Sequence, residues 1–276
     1  MTSANDETLL RALVKALSAV PGIEAIALGG SRARGSATEA SDYDIGLYYR
    51  PHRPIDVAAL AEVVRELDDR GAAASVTELG GWGPWIDGGG WLIVEGVHVD
   101  LLYRDLDRVR AAIDDAQAGK VERFYQPGHP HAFLPTIYVG EVGCGRALHD
   151  PTGAFAALQA RTRPYPAVLG QALRARFEWE AEFALANARK SLDRDDVSYL
   201  VGCAFRAVAC LCQTLFALNG VYLLNEKGAV AAVEGFARRP ADFARRIAAV
   251  FADLGAGMPA QGLDKLDALV VETRSL

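Results

Sequence analysis

The feature that most constrains this chain is a change of pattern near residue 150. Up to that point short apolar runs alternate with helical stretches. Beyond it the apolar residues recur only at helical spacing, over about 153–161, 167–191, 195–218, 226–238, 240–254 and 263–272. A segment without strands cannot extend a sheet, so the second half reads as a helical bundle. Pro151, Gly153, Pro164 and Pro166 punctuate the change. The expectation is an α+β chain of two domains: a mixed-sheet α/β domain over 1–150 and an all-helical domain over 151–276 that completes a substrate cleft.

Within the first half, helical spacing covers 7–19, 57–71 and 106–119. Strand patterns cover 23–30 and 43–50, with a third over 73–79. A glycine-rich loop at 80–90 carries Trp82 and Trp85, and Trp91 follows it. The runs 91–96 and 97–104 then read as a hairpin or neighbouring strands.

Composition narrows the function classes. The 276 residues include 29 basic and 35 acidic side chains, a formal net charge of -6. That balance argues against a general nucleic-acid coat and suits a small or cationic partner. The start, MTSANDETLL, has no basic n-region or apolar h-segment, and no apolar run reads as a membrane span, so the expected location is cytoplasmic. Cys144, Cys203, Cys210 and Cys212 form no C-x-x-C pair, and three of them share one apolar helical stretch, as buried free thiols do.

The chemistry concentrates in LGGSRARGSATEASDYDIGLYY, residues 28–49. Gly29 and Gly30 at a strand end let a ligand approach the main chain, and consecutive N–H groups in such a turn attract anions. Ser31 adds a hydroxyl; Arg32 and Arg34 add charge. Asp42 and Asp44 are spaced to project from one face of a strand, where two carboxylates repel unless a cation or proton compensates. Mg²⁺ takes one or two carboxylates plus phosphate oxygens. Asp100, in the apolar run VHVDLLY, would add a third acid from a neighbouring strand and complete a site for two metals. An anion cradle beside metal-binding acids points to a nucleoside triphosphate. The P-loop alternative fails, because Ser36 and Ala37 follow Gly35 where Lys and Ser/Thr are required.

With G-G-S, ten intervening residues and D-Y-D, then a later strand acid, the first 105 or so residues resemble the DNA polymerase β-type nucleotidyltransferase superfamily. The stretch is similar to small bacterial aminoglycoside and lincosamide nucleotidyltransferases. The resemblance implies that Gly30, Ser31 and Arg34 hold the triphosphate, that Asp42 and Asp44 bind two Mg²⁺ (or Mn²⁺), and that Asp100 is a metal ligand or the base for the acceptor hydroxyl. It also implies a helical-domain glutamate as acceptor-side base, Glu182 or Glu180, with Lys190 on the triphosphate and Tyr199 nearby. A charged, solvated helix face explains the glutamates as well.

The activity expected is transfer of NMP, AMP favoured, from an NTP to a hydroxyl of a small, cationic acceptor such as an aminoglycoside, with antibiotic resistance as one consequence. A protein or tRNA acceptor, as in toxin–antitoxin pairs, and a non-catalytic nucleotide-binding module are the alternatives. Either a monomer or a homodimer is compatible with the sequence.

Overall fold

The computed structural model describes residues 4–35, 37–38, 40–194 and 196–276. They form two compact units: Met1–Asp114, Phe124–Gly128 and Tyr138–Pro164 make the first, and Asp115–Arg123, His129–Ile137 and Tyr165–Leu276 the second. The chain passes between them more than once, so a single cut near residue 150 does not describe the division.

In chain order the elements up to residue 161 are α1 (Ala4–Leu17), β1 (Ala25–Leu28), α2 (Gly30–Arg34), β2 (Tyr43–Tyr49), α3 (Val57–Leu67), β3 (Gly89–Val94), β4 (Val97–Asp105), α4 (Leu106–Gln117), α5 (Thr136–Cys144), β5 (Arg146–His149) and α6 (Ala154–Arg161). The five strands form one mixed sheet in the order β3-β4-β2-β1-β5. Only β2 and β4 are parallel. A parallel pair needs a crossover, and the segment holding α3 supplies it. Asp56 starts that helix by accepting a hydrogen bond from the Ala59 N–H at 3.0 Å.

Alternation divides the sheet into two faces. Tyr43, Ile45 and Leu47 on β2, with Val99, Leu101 and Tyr103 on β4, join Leu9, Leu13 and Leu17 of α1 and Leu60 and Val64 of α3 in one buried core. The residues between them, Asp44, Gly46 and Tyr48 opposite Asp100, Leu102 and Arg104, belong to the other face. There Tyr48 packs edge-on against Phe155 of α6, with ring centroids 5.1 Å apart. Gly46 makes room for that ring, since a Cβ at 46 would meet it at 2.8 Å. Tyr48 and Arg104 are buried, whereas Asp44 and Asp100, nearer the strand starts, are only half-buried.

The strand expected over 73–79 does not form. Its N-terminal part is a 3₁₀ turn, Gly71–Ala73. Thr77 does lie beside β3: its N–H donates to the Gly89 carbonyl at 2.8 Å, its hydroxyl accepts the Gly89 N–H and its carbonyl accepts the Tyr103 hydroxyl, so one residue pairs and no strand extends from it. α5 and β5, which sequence patterning passed over, occupy the interval before residue 150.

The second unit is built on α7 (Ala167–Lys190) and α8 (Val197–Leu218), with α9 (Ala229–Val233), α10 (Phe243–Gly255) and α11 (Pro259–Arg274). α7 buries Leu169, Leu173, Phe177, Ala181, Ala184 and Ala188 at three-to-four-residue spacing. α8 is, by length and composition, apolar enough to cross a membrane, contrary to the expectation that no such run exists; most of it is buried within the fold. The helix expected over 226–238 shrinks to α9. Gly228 at its start adopts φ +78°, and the Glu226 carboxylate is engaged with the 129–132 segment.

Candidate active site

β1 ends at Leu28, yet the Gly29 N–H still donates to the Asp44 carbonyl at 2.7 Å, extending the pairing by one residue. Gly30 then turns the chain with φ +59° to open α2. A Cβ at this position would lie 1.7 Å from Asp44 Oδ2, so the carboxylate rests against the bare Cα. Glycine is therefore required twice over, by the left-handed φ and by the close approach. Ser31 and Arg34 follow within α2. The Arg34 Nε donates back to the Gly30 carbonyl at 3.2 Å, leaving its side chain exposed.

Arg32 does a different job from the one expected. Its Nε and Nη2 donate to the Ser41 carbonyl at 3.1 and 2.7 Å, its guanidinium lies 3.7 Å over the Tyr43 ring, and Asp6 pairs with it at 3.5 Å. The Tyr43 hydroxyl also donates to Asp6. Burial and that hydrogen bond push the Tyr43 phenol up to about 12. These contacts tether the chain immediately before Asp42, so Arg32 holds the loop rather than facing the turn.

Asp42 lies just ahead of β2 rather than within it, and it is exposed. Asp44 stands directly opposite Asp100 across the parallel pair. Neighbouring strands run about 4.8 Å apart, so the two acids share one row of one face. Burial raises the Asp44 carboxyl, and the negative charges of Glu141 and Asp42 raise it further against the opposing pull of Arg104 and Arg34. An acid pushed this way is short of positive charge. A divalent cation would supply it: Asp44 and Asp100 are carboxylates level on one face, and Asp42 stands exposed two residues before Asp44.

Glu141 and Arg104 were not anticipated. Arg104, on the same face as Asp100, is 5% exposed and clamps Glu141 of α5 through Nε–Oε2 at 2.7 Å and Nη2–Oε1 at 2.8 Å. Two signals were available in the sequence. Arg104 has the parity of Asp100, and Glu141 is the only charged residue in TIYVGEVGC.

Residues 10–80 match the family model of the nucleotidyltransferase domain. The match bears out the resemblance to the DNA polymerase β-type nucleotidyltransferase superfamily, and the matched stretch lies in a mixed five-stranded sheet with a helical region after it. Gly30, Ser31, Arg34, Asp42 and Asp44 fall inside the matched stretch; Asp100 lies beyond it. A second model, a domain of unknown function (DUF4037), matches residues 134–227. No curated protein matches the chain. A nucleotidyltransferase-like protein from Exiguobacterium sibiricum 255-15 superposes with a TM-score of 0.42 at 12% identity, over 96% of this chain and 74% of that one.

The remaining expected residues belong to the second unit. Glu182 forms an ion pair with Arg274 on the outer side of α7. Lys190 ends α7 and Tyr199 begins α8, both exposed, with the Tyr199 N–H capped by Asp196 at 3.1 Å. Glu180 points the opposite way from Glu182 and is 3% exposed. It accepts from Arg123 and from Arg206 Nε at 2.7 Å, with His131 Nε2 3.8 Å away. Burial pushes Glu180 up, but the two guanidiniums outweigh it and hold the carboxyl below its usual range.

His131, Glu180 and Cys210 place donor atoms within 4.8 Å of one another. The group does not suit a cation. Two arginines already occupy the carboxylate, and burial pushes the Cys210 thiol far up. Glu226 accepts from the His131 and Ala132 N–H groups at 3.0 and 3.3 Å and pairs with His129, which makes it an anchor for that segment.

Proposed function

We propose that the chain is a divalent-metal-dependent nucleotidyltransferase that moves NMP, AMP favoured, from an NTP to a hydroxyl of a small acceptor, releasing pyrophosphate. The observation that carries the reading is the packing of the Gly30 turn onto Asp44, which stands level with Asp100 and two residues from Asp42. That packing supports a reading in which the triphosphate lies at the glycine turn beside cations held by the acids. In the transfer an acceptor oxygen bonds to the α-phosphorus, the bond from phosphorus to the pyrophosphate oxygen breaks, and the hydroxyl proton leaves.

Asp42, Asp44 and Asp100 are the residues that would hold Mg²⁺, or Mn²⁺ in its place. When bound, the metal supplies charge neutralisation for the phosphates and the leaving pyrophosphate. The Gly30 and Ser31 backbone, with the Ser31 hydroxyl and Arg34, grips the triphosphate. Asp100 takes the acceptor proton or directs it to water. The Arg104–Glu141 clamp braces the sheet face beside Asp44 and holds the Glu141 side chain in place, so Glu141 acts as a positioning residue. Glu182, neutralised by Arg274, receives no part of the proton transfer, and Lys190 and Tyr199 are left without a role.

The experiment is incubation with Mg²⁺ and an NTP labelled at the α-phosphate, alongside small hydroxylated acceptors, tRNA and protein. Label on a small molecule supports the proposal. Label on tRNA or protein replaces the acceptor class, and nucleotide binding without pyrophosphate release reduces the chain to a sensor.

A further inference from the structure

Ion pairs show which sides of α7 are covered. Glu180 bonds to Arg206 of α8, Glu182 pairs with Arg274 of α11, and Arg189 pairs with Asp264 and Asp267 of α11. The side turned away from both helices would be polar if it faced only water. Instead, at about 100° per residue, it carries Ala172, Ala175, Trp179, Phe183 and Ala186. Trp179 is 60% exposed and Phe183 52%. Their rings stack with centroids 5.1 Å apart and planes 13° from parallel, so the patch is ordered before anything covers it. Val271 falls between Asp267 and Arg274 on α11 and, 60% exposed, continues the apolar surface.

The spacing says what would cover it. The steps between those five residues are 3, 4, 4 and 3, which read the same in both directions about Trp179. Such steps make a seam that packs against another helix. A foreign helix has no need of the symmetry; a second copy of α7, antiparallel about a two-fold axis at Trp179, requires it. In that arrangement Trp179 meets its own copy, Phe183 packs on the other copy's Ala175, and Ala172 faces the other copy's Ala186. Large side chains meet small ones, the aromatic residues lie at the centre, and the helix dipoles oppose.

Charges beside the seam are already matched within one chain, Arg174 with Glu178 at 2.8 Å and Glu182 with Arg274. They form a polar rim that brings no bare carboxylate against another. An aromatic side chain offers about 150–250 Å², so at these exposures the two rings leave about 250 Å² uncovered in each copy. Four rings, with the alanines, Val271 and the rim of both copies, reach the roughly 1,000 Å² that a specific association needs.

We propose that the chain forms a two-fold dimer through the outer face of α7, with Trp179 at the axis and Phe183 packed on Ala175 of the second copy. The seam uses no residue given to nucleotidyl transfer, so it stands or falls apart from that reading.

Sedimentation equilibrium of the full chain between about 1 and 100 μM should give the dimer mass. Trp179→Glu should weaken association at least about a hundred-fold while the far-ultraviolet dichroism stays helical, and Phe183→Leu should keep the dimer. Orientation is read by disulfide capture against a wild-type blank. A mixture of Ala172→Cys and Ala186→Cys proteins should cross-link on oxidation, and neither protein alone should do so. That pair keeps the test open should Trp179→Glu fail to fold. A monomer throughout the range, whether or not another protein binds it, overturns the proposal. So does a dimer that survives Trp179→Glu, or Ala172→Cys that cross-links to itself.

Discussion

Gly30→Ala separates the two demands made on that position. The left-handed backbone alone costs a residue with a Cβ about 1–2 kcal/mol. In a unit of this size that lowers the melting temperature by about 2–8 °C. The second demand is the close approach. An added Cβ would meet Asp44 Oδ2 at 1.7 Å, so the carboxylate or the turn must move by more than about 1 Å. A displacement of that size at a reacting centre costs about a hundred-fold in rate.

Gly35→Ala is the matched control. Gly35 has φ +74° and nothing within 4 Å of the position a Cβ would take, so it carries the backbone cost without the clash. Thermal denaturation and pyrophosphate release, measured on both variants, should show similar small losses of stability. Only Gly30→Ala should lose about two orders of magnitude in rate. A folded Gly30→Ala protein with the wild-type rate would refute the claim that the turn sets the Asp44 carboxylate.

Two further outcomes follow from charges around the sheet. Hydrogen bonds from Arg70 hold the Asp68 carboxyl at about 2, below its usual 3.8 and despite burial. A depressed acid stabilises the fold above its unfolded value and loses that contribution as pH falls through the folded one. About 2 kcal/mol should therefore disappear between pH 4 and pH 2, and urea unfolding of Asp68→Asn should lack that slope. Arg104→Met strands Glu141 beside Asp44 and should cost about 3 kcal/mol by thermal denaturation, much of it regained in the Arg104→Met, Glu141→Leu double variant.

What could be read in advance divides along physical lines. The G-G-S turn and the D-Y-D pair are local, and their spacing alone encodes strand end, turn and returning strand. Asp100 was legible because an acid in VHVDLLY conflicts with its apolar neighbours unless it has a job. Glu141 was not, because TIYVGEVGC is apolar on every side and shows no helical period to place its one charge. Nor was β5, whose four residues become a strand only because β1 offers an edge.

The segment 73–79 had the composition of a strand, but beside β3 its backbone pairing is confined to Thr77, whose other bonds involve side chains. Arg32 looked like phosphate-binding charge. Its true partner, the Ser41 carbonyl, is a contact no linear pattern reveals. Glu180 and Glu182 were indistinguishable as charges on one helix, and only burial separates the hub from the surface pair.

The central claim is that Asp42 and Asp44 serve the transfer by binding a cation. Pyrophosphate release from an NTP, followed with Mg²⁺ and with chelator in wild type and in Asp42→Asn, Asp44→Asn, tests it most directly. The account predicts release by wild type that needs Mg²⁺, and none above background from a double variant whose melting temperature is preserved. Undiminished release by that folded variant would contradict it.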